Sequence, residues 1–177
     1  MAPLPPLRFS VCVEMLFKEK PFEQRLEYVA DLGFPAFEFW GRQGKDMNIT
    51  LALKAALRLE VAAFKASDAS MVDPAQRQQF LSDITRSASL AVDLACANLI
   101  VCSGKAMPGV PYEEQRWNLV DLLKEAAETA ADAGVTLVLE PLNQLDHPGE
   151  FLSSSDEGFA IVREVGSPHV RLLFDIY

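Results

Sequence analysis

The stretch VLEPLN, residues 138–143, carries a short apolar run directly into an acidic side chain, Glu140, followed by the polar Asn143. Together with Thr136 and Leu137 the run reads as a β-strand, because it is short, apolar and partly β-branched. A buried carboxylate without a partner destabilises a protein by several kcal/mol. The stretch therefore predicts a strand whose end needs a positively charged partner.

Similar runs recur along the chain and predict six strands. The candidate strands are residues 8–17, 36–40, 61–66, 98–103, 136–141 and 170–177. Several are continuously apolar, as expected when helices cover a parallel sheet or when the sheet closes into a barrel. The segments between them carry apolar residues at spacings of three and four, which is typical of amphipathic helices. Phe22, Leu26 and Val29 form one such set, and Trp117 and Val120 begin another.

The alternation of strands and helices predicts an α/β fold with parallel strands joined by right-handed crossovers. A doubly wound open sheet and a TIM barrel both fit this order. A complete TIM barrel has eight strands and typically about 250 residues, whereas this chain has 177 residues. The barrel alternative is therefore an incomplete TIM barrel of about six parallel strands and five helices, with residues 1–177 as a single, C-terminally truncated domain.

Charge and composition exclude several classes of function. The formal net charge is -9 and the isoelectric point is about 4.7, so a surface for nucleic-acid phosphates is not expected. No segment approaches the roughly 20 apolar residues of a membrane helix, and the first residues lack the pattern of a signal peptide. We therefore expect a cytoplasmic protein with no nucleic-acid or membrane partner, in which Cys12, Cys96 and Cys102 are reduced.

Polar side chains close most of the candidate strands, at the end where α/β folds bind their ligands. They are Glu14, Glu38, Lys65, Ser103 with Lys105, Glu140 with Asn143, and Asp175. We expect Glu14 and Glu38 to form ordinary salt bridges or helix caps. For Glu140 and Asp175 we predict a shared divalent cation, and the absence of Cys/His spacing favours Mg²⁺ or Mn²⁺.

Four longer segments together resemble one known family. They are RFSVCVEMLF (8–17), PFEQRLEYVADLGFPAFEFW (21–40), LEPLNQLDHPGEFL (139–152) and VRLLFDIY (170–177). In this order they are similar to the hydroxypyruvate isomerase group of the xylose isomerase-like TIM barrels. The resemblance covers essentially the whole chain, and its most specific parts are the EPLN segment, the D-x-PG turn and the terminal FDIY.

The resemblance implies a metal-dependent isomerase. It assigns Glu140 and Asp175 as ligands of one divalent metal, and Glu140 also as the catalytic residue that moves a substrate proton. The implied reaction converts hydroxypyruvate into tartronate semialdehyde through an enediolate. The implied substrate class is a small keto acid or sugar, and no organic cofactor is required.

The resemblance also suggests substrate contacts. Lys105 lies in SGKAMPG (103–109), which is similar to the family's loop after strand four, and would contact a substrate anion. Lys65 stands near a position where relatives often have a histidine, and Gln144 replaces another family histidine. Asn143 and His147 complete the predicted substrate-binding set.

Several alternatives remain open. A related ketose 3-epimerase or sugar isomerase would share the same metal chemistry, whereas an endonuclease IV-like enzyme is disfavoured by the two histidines and the acidic charge. The family continues through strands seven and eight, which carry further metal ligands, so impaired catalysis is expected. A non-catalytic truncated remnant would self-associate as a homo-oligomer through unpaired sheet edges.

Overall fold

The computed structural model describes residues 6–176, in which six β-strands alternate with five α-helices. In chain order they are β1 (Val11–Cys12), α1 (Phe22–Asp31), β2 (Ala36–Phe39), α2 (Met47–Leu57), β3 (Glu60–Lys65), α3 (Arg77–Asp93), β4 (Asn98–Cys102), α4 (Tyr112–Asp132), β5 (Thr136–Glu140), α5 (Ser155–Val165) and β6 (Val170–Leu172). A short 3₁₀ turn, Pro74–Gln76, leads into α3. The predicted α/β order is confirmed.

The six strands form one sheet in sequence order, and every neighbouring pair is parallel. Helix α1 contacts α2, α3 contacts α4, and α4 contacts α5, so the helices line one face of the sheet. This arrangement is that of a TIM barrel, and it differs from a doubly wound sheet, whose strand order reverses at a switch point. The predicted incomplete barrel is confirmed, with β1 and β6 as the sheet edges of the described chain.

An aromatic cluster forms the core between the first strands and their helices. Phe39 of β2 stacks on Phe64 of β3 at a ring-centroid distance of 5.1 Å. It also meets Phe22 of α1 edge-on at 5.7 Å. All three rings are buried, so this cluster fixes α1 against the sheet through apolar burial and aromatic packing.

Side-chain alternation along the strands separates this core from the opposite, concave face of the sheet. Val101 of β4 and Leu139 of β5 are fully buried. Because successive side chains in a strand point to opposite faces, Cys102 and Glu140 point away from the helix-covered core. Glu38, the neighbour of Phe39 in β2, does the same. The strand pattern therefore delivers these polar groups to one concave surface.

The first strand is shorter than predicted. It covers only Val11–Cys12 of the predicted residues 8–17. The amides of Met15 and Leu16 turn back and donate to the carbonyl oxygen of Cys12. This turn ends the strand and begins the loop that leads into α1.

The last strand is also shorter than predicted, since β6 ends at Leu172 instead of continuing through the FDIY segment. Its neighbour β5 runs into Pro141, which has no N–H to continue the hydrogen-bond ladder. The amide of Leu173 makes the final ladder bond, to Leu139. Tyr177, where the prediction ended, lies outside the described residues.

The predicted buried faces of α1 and α4 can be compared with the structure at the residues named above. Phe22, Leu26 and Val29 form the buried face of α1 as expected. In α4, Val120 is buried but Trp117 is 62% exposed. The apolar character of Trp117 therefore does not reflect packing within the described chain.

No helix among residues 6–176 is both long enough and apolar enough to cross a membrane. This finding does not test the predicted cytoplasmic location, which stays a prediction.

Candidate active site

The carboxyl ends of β4 and β5 bring a thiol against the acid of the EPLN segment. Cys102 and Glu140 are register partners in the parallel ladder, and the Cys102 thiol donates to Oε2 of Glu140 at 3.7 Å. Burial, the nearby carboxylates and this hydrogen bond raise the pKa of Cys102 to about 12. Cys102 is therefore a neutral hydrogen-bond donor at physiological pH, not a nucleophile.

Glu140 lies in a negatively charged, partly desolvated setting. Burial raises the pKa of its carboxyl, and the charge of Asp175 raises it further. Glu38 adds to this shift, while the Cys102 thiol and Lys65 act in the opposite direction. No ion pair within residues 6–176 involves Glu140. A cation at this carboxylate would relieve both the desolvation and the repulsion.

The expectation that Glu38 forms an ordinary salt bridge or cap is wrong. None of the ion pairs or hydrogen bonds found in the described part of the chain uses its carboxylate. Burial raises the pKa of Glu38, and the charge of Asp175 raises it further. The sequence held a signal for this, since Glu38 stands between the buried Phe37 and Phe39, and alternation sends it to the concave face.

Glu14, in contrast, is neutralised as expected. Lys45 pairs with its carboxylate at 2.7 Å, and Arg25 lies at 3.4 Å. The amide of Trp40 also donates to it at 3.4 Å. Glu14 therefore holds the loops after β1 and β2 together. It has a structural role in the rim of the sheet, which is the edge formed by the carboxyl ends of the strands and the loops that follow them.

We predict that Glu38→Gln stabilises the metal-free protein at pH 7. A carboxyl whose pKa is raised in the folded state contributes to stability when it is protonated. That contribution is complete at pH values below the ordinary pKa of the group, 4.5. That contribution is lost as the pH rises through the raised pKa. Urea unfolding in chelator should therefore show the variant more stable than wild type at pH 7, with the difference vanishing below about pH 4.

The matched control for this prediction is Glu14→Gln. It removes a carboxylate that Lys45 and Arg25 neutralise, so it should destabilise the protein at pH 7. A loss of stability for both variants would contradict the assignment of Glu38 to an unneutralised acidic surface.

A cavity of about 370 Å³ opens beside Cys102, between the loops that follow β3, β4 and β5. Its lining includes Lys65, Asp68, Asp73, Cys102, Lys105 and Glu150. Lys65 pairs with Asp68 at 2.6 Å. Burial lowers the pKa of Lys65, but the hydrogen bond and charge of Asp68 outweigh it, so the pKa is raised. Lys65 is therefore a protonated cation in the cavity wall.

Lys105 occupies a different electrostatic position in the same wall. Its backbone forms an antiparallel bridge with Glu150, and its side chain takes part in none of the ion pairs found between residues 6 and 176. Its ammonium group is therefore available to an anion in the cavity. The two lysines predicted from the sequence thus lie together in one cavity wall.

The other two predicted substrate contacts, Asn143 and His147, lie in the loop after β5. The side-chain oxygen of Asn143 accepts from the amides of Leu145 and Asp146 at 3.0 and 2.9 Å. Neither Asn143 nor His147 lines the cavity. Asn143 shapes the loop, and the substrate contacts predicted for these two residues stay predictions.

Gln144, which stands where the family usually has a histidine, makes two hydrogen bonds within this loop. Its amide group donates to the carbonyl oxygen of Glu150 at 2.7 Å and accepts from the amide of Gly149 at 2.9 Å. It therefore ties the two ends of this loop together.

Asp175 follows β6 and is exposed. Its charge raises the pKa of both Glu38 and Glu140, so the three carboxylates share one electrostatic environment. The cation predicted to be shared by Glu140 and Asp175 stays a prediction. The three carboxylates do not form a compact cage. Among the described side chains, no group of three or more His, Cys, Asp or Glu residues could hold a metal ion.

This rim geometry agrees with the comparison to known families, in which residues 26–177 match the xylose isomerase-like TIM barrels. The chain belongs to this family. The resemblance predicted from the four sequence segments is therefore confirmed, and the rim with Glu140 corresponds to the face on which TIM barrels carry their active sites.

Two curated relatives of this xylose isomerase-like protein are isomerases. It is 31% identical over 180 residues to 2-oxo-tetronate isomerase of Cupriavidus necator, covering 96% of this chain and 68% of that protein. It is 27% identical over 179 residues to hydroxypyruvate isomerase of Escherichia coli, covering 97% of this chain and 69% of that protein. The chain thus spans about two thirds of either relative. These relatives place it with the isomerases of the family.

Solved structures show the same fold. An AP endonuclease of family 2 from Brucella melitensis superposes with a TM-score of 0.90 at 25% identity, covering 96% of this chain and 69% of that one. The IOLI protein, whose crystal structure holds a zinc atom, gives a TM-score of 0.81 at 15% identity, covering 94% and 62%. Both likenesses support the barrel-type arrangement of the six strands.

Proposed function

We propose that this protein is a divalent-metal-dependent isomerase of the hydroxypyruvate isomerase type, acting on a small hydroxylated keto acid. The observation that carries the proposal is the carboxylate of Glu140. It is partly desolvated and repelled by neighbouring acids, and no ion pair of the described residues neutralises it. It also contacts the thiol of Cys102, which lines a cavity together with two lysines.

The donor set fits a hard divalent cation such as Mg²⁺ or Mn²⁺, because carboxylate oxygens are the ligands that these ions prefer. Glu140 and Asp175 would hold it, at the place where burial and the charges of neighbouring acids raise the pKa of Glu140. When bound, the cation would polarise the substrate carbonyl and stabilise negative charge on its oxygen.

The residues of the chain supply the remaining steps. Glu140 would take a proton from the hydroxyl-bearing carbon beside the carbonyl and return it to the former carbonyl carbon, while a proton passes between the two oxygens. The Cys102 thiol, which donates to Oε2 of Glu140, would orient the carboxylate. Lys105 and Lys65 would hold the substrate carboxylate in the cavity and so fix the carbon chain across Glu140.

The activity is tested by incubating the protein with Mg²⁺ or Mn²⁺ and a keto-acid substrate and following the products by proton NMR in deuterated water. The proposal predicts aldehyde product and deuterium at the carbon that receives the proton. Unchanged substrate with no deuterium incorporation, in a sample that binds Mn²⁺, would contradict it.

We also propose that the chain self-associates as a homo-oligomer through its sheet edges. Large apolar side chains lie exposed near both edges, with Phe9 beside β1 and Phe174 beside β6 exposed by 60% and 64%. Unpaired parallel edges flanked by apolar groups favour association. Light scattering should give a mass above 19.5 kDa, and a stable monomer would contradict this proposal.

A further inference from the structure

Gln115 is a polar side chain on the buried face of α4. It is only 4% exposed, and apolar residues such as Leu119, Leu122 and Leu123 make up the rest of that face. A buried amide destabilises a fold unless its polar atoms are hydrogen-bonded. Gln115 therefore needs partners that its apolar neighbours on the helix do not provide.

Within residues 6–176, the partners of the Gln115 side chain all lie in the loop between β4 and α4. Its Oε1 accepts from the amide of Met107 at 2.7 Å. Its Nε2 donates to the carbonyl oxygens of Met107 and Val110 at 3.2 and 2.8 Å. Since a glutamine amide has one accepting oxygen and two N–H donors, both N–H groups and the oxygen of Gln115 are used to hold this one loop.

The beginning of the same loop is held from another side by Glu150. Oε1 of Glu150 accepts from the hydroxyl of Ser103 at 2.9 Å and from the amide of Gly104 at 2.8 Å. The backbone of Glu150 also forms an antiparallel bridge with Lys105. The loop is therefore anchored before Lys105 by the loop after β5, and anchored after it, at Met107, by α4.

Lys105 depends on this backbone for its position. It lines the cavity together with Met107, whereas Gln115 does not line it. No ion pair found among residues 6–176 holds the ammonium group of Lys105, so its backbone decides where the side chain starts. A backbone that is fixed before the ligand arrives does not have to be ordered on binding, which favours affinity.

We propose that Gln115 is a positioning residue, which acts through Met107 to fix the backbone of Lys105 so that this lysine presents its ammonium group to a carboxylate in the cavity. The inference rests on the proposed isomerase function, in which Lys105 holds the substrate carboxylate. It extends that function to a residue of α4 that lies outside the cavity.

Two substitutions of Gln115 break its hydrogen bonds to the loop. Gln115→Met has a similar length, suits an apolar helix face and removes all three hydrogen bonds. Gln115→Glu keeps an oxygen for the amide of Met107 but turns its other oxygen towards two carbonyl oxygens, which repel it. The second variant serves if circular dichroism shows the first to be poorly folded.

Asn98→Leu is the matched control. The side chain of Asn98 donates to the carbonyl oxygen of Ala62 at 3.0 Å, so this variant also loses a hydrogen bond from a side-chain amide to the backbone. Asn98 begins β4, at the end of the strand opposite to the loop that carries Lys105. Its loss should leave ligand binding unchanged.

The test is a calorimetric titration with glycerate, an unreactive hydroxy acid, with Mg²⁺ present. Lys105→Met should weaken binding at least about 10-fold, the effect of losing a hydrogen bond to a charged group. Gln115→Met should weaken it about 3- to 10-fold, as expected for one side chain that must be ordered on binding. In the turnover assay it should raise KM and leave kcat nearly unchanged, because carboxylate binding is lost equally from the ground state and the transition state.

The double variant Gln115→Met with Lys105→Met separates positioning from a general structural role. If Gln115 acts through Lys105, its substitution should have no further effect once Lys105 is replaced. A purely structural role would weaken binding by the same factor in both backgrounds.

Wild-type affinity in the Gln115 variants, an equal effect of Gln115→Met with and without Lys105, or no binding of glycerate to wild type would each overturn the inference. Coupling between the two residues, in a protein that shows no turnover, would support the inference and contradict the proposed isomerase activity. Turnover with an unchanged KM in the Gln115 variants would support the isomerase activity and overturn the inference.

Discussion

Glu140→Gln is expected to lower kcat for keto-acid isomerisation by about 10² to 10⁴-fold, the contribution typical of a positioned general base. The glutamine amide has nearly the same shape but cannot accept a proton from carbon. The Cys102 thiol can still donate to the amide oxygen, so the local geometry is retained. Since burial and neighbouring acids raise the pKa of Glu140, removing the charge should not destabilise the fold.

The matched control is Glu128→Gln, the same chemical change at an exposed position of α4 that is remote from the rim. It should leave both kcat and KM unchanged. Isomerisation at the wild-type rate by Glu140→Gln, in a preparation shown by circular dichroism to be folded, would remove Glu140 from the catalytic role.

Gly104→Ala is expected to cause a large loss of protein stability. Gly104 has a φ of +84°, and an added Cβ would lie 2.7 Å from Cβ and 2.8 Å from Cα of Ser70. Ser70 belongs to the loop after β3, so the two loops cannot both keep their positions. Left-handed backbone and overpacking together should reduce the free energy of unfolding by about 2 to 5 kcal/mol.

Gly109→Ala provides a control in the same loop. Its φ of +81° is nearly the same, but no atom lies within 4 Å of an added Cβ. It should therefore lose only the backbone contribution of about 1 to 2 kcal/mol. Equal losses for the two variants in urea unfolding would contradict the close approach of the loops after β3 and β4.

Apolar alternation and helical spacing were enough to predict the succession of strands and helices along the chain, because both signals are local. They did not decide between a doubly wound sheet and a barrel, which differ in the order of the strands within the sheet. The ends of β1 and β6 were not predicted, since they depend on a turn at Cys12 and on the neighbouring Pro141. A strand's length is set by its partner as much as by its own residues. This dependence on a neighbour is absent from the pattern of any single segment.

In the candidate site, too, features set by nearby sequence could be predicted, whereas features set by contacts between distant segments could not. Glu140, Lys65 and Lys105 could be chosen as candidates from their motifs and their positions after strands, and the structure places both lysines in one cavity wall. Glu38 was misjudged because its lack of a cation depends on which loops carry Lys45 and Arg25, and both of these face Glu14 instead. Glu150 was missed because its partners, Ser103 and Gly104, are more than 40 residues away in sequence.

The proposed function requires the carboxylate of Glu140 to hold a divalent cation at the rim of the sheet. This binding can be measured by calorimetric titration of the 177-residue chain with Mn²⁺, with Glu140→Gln and Glu128→Gln titrated in parallel. We expect saturable binding to wild type and to Glu128→Gln, and affinity at least about 10-fold weaker for Glu140→Gln, the effect of losing one charged ligand. Identical titrations for wild type and Glu140→Gln, or no saturable binding to wild type, would contradict the proposed function.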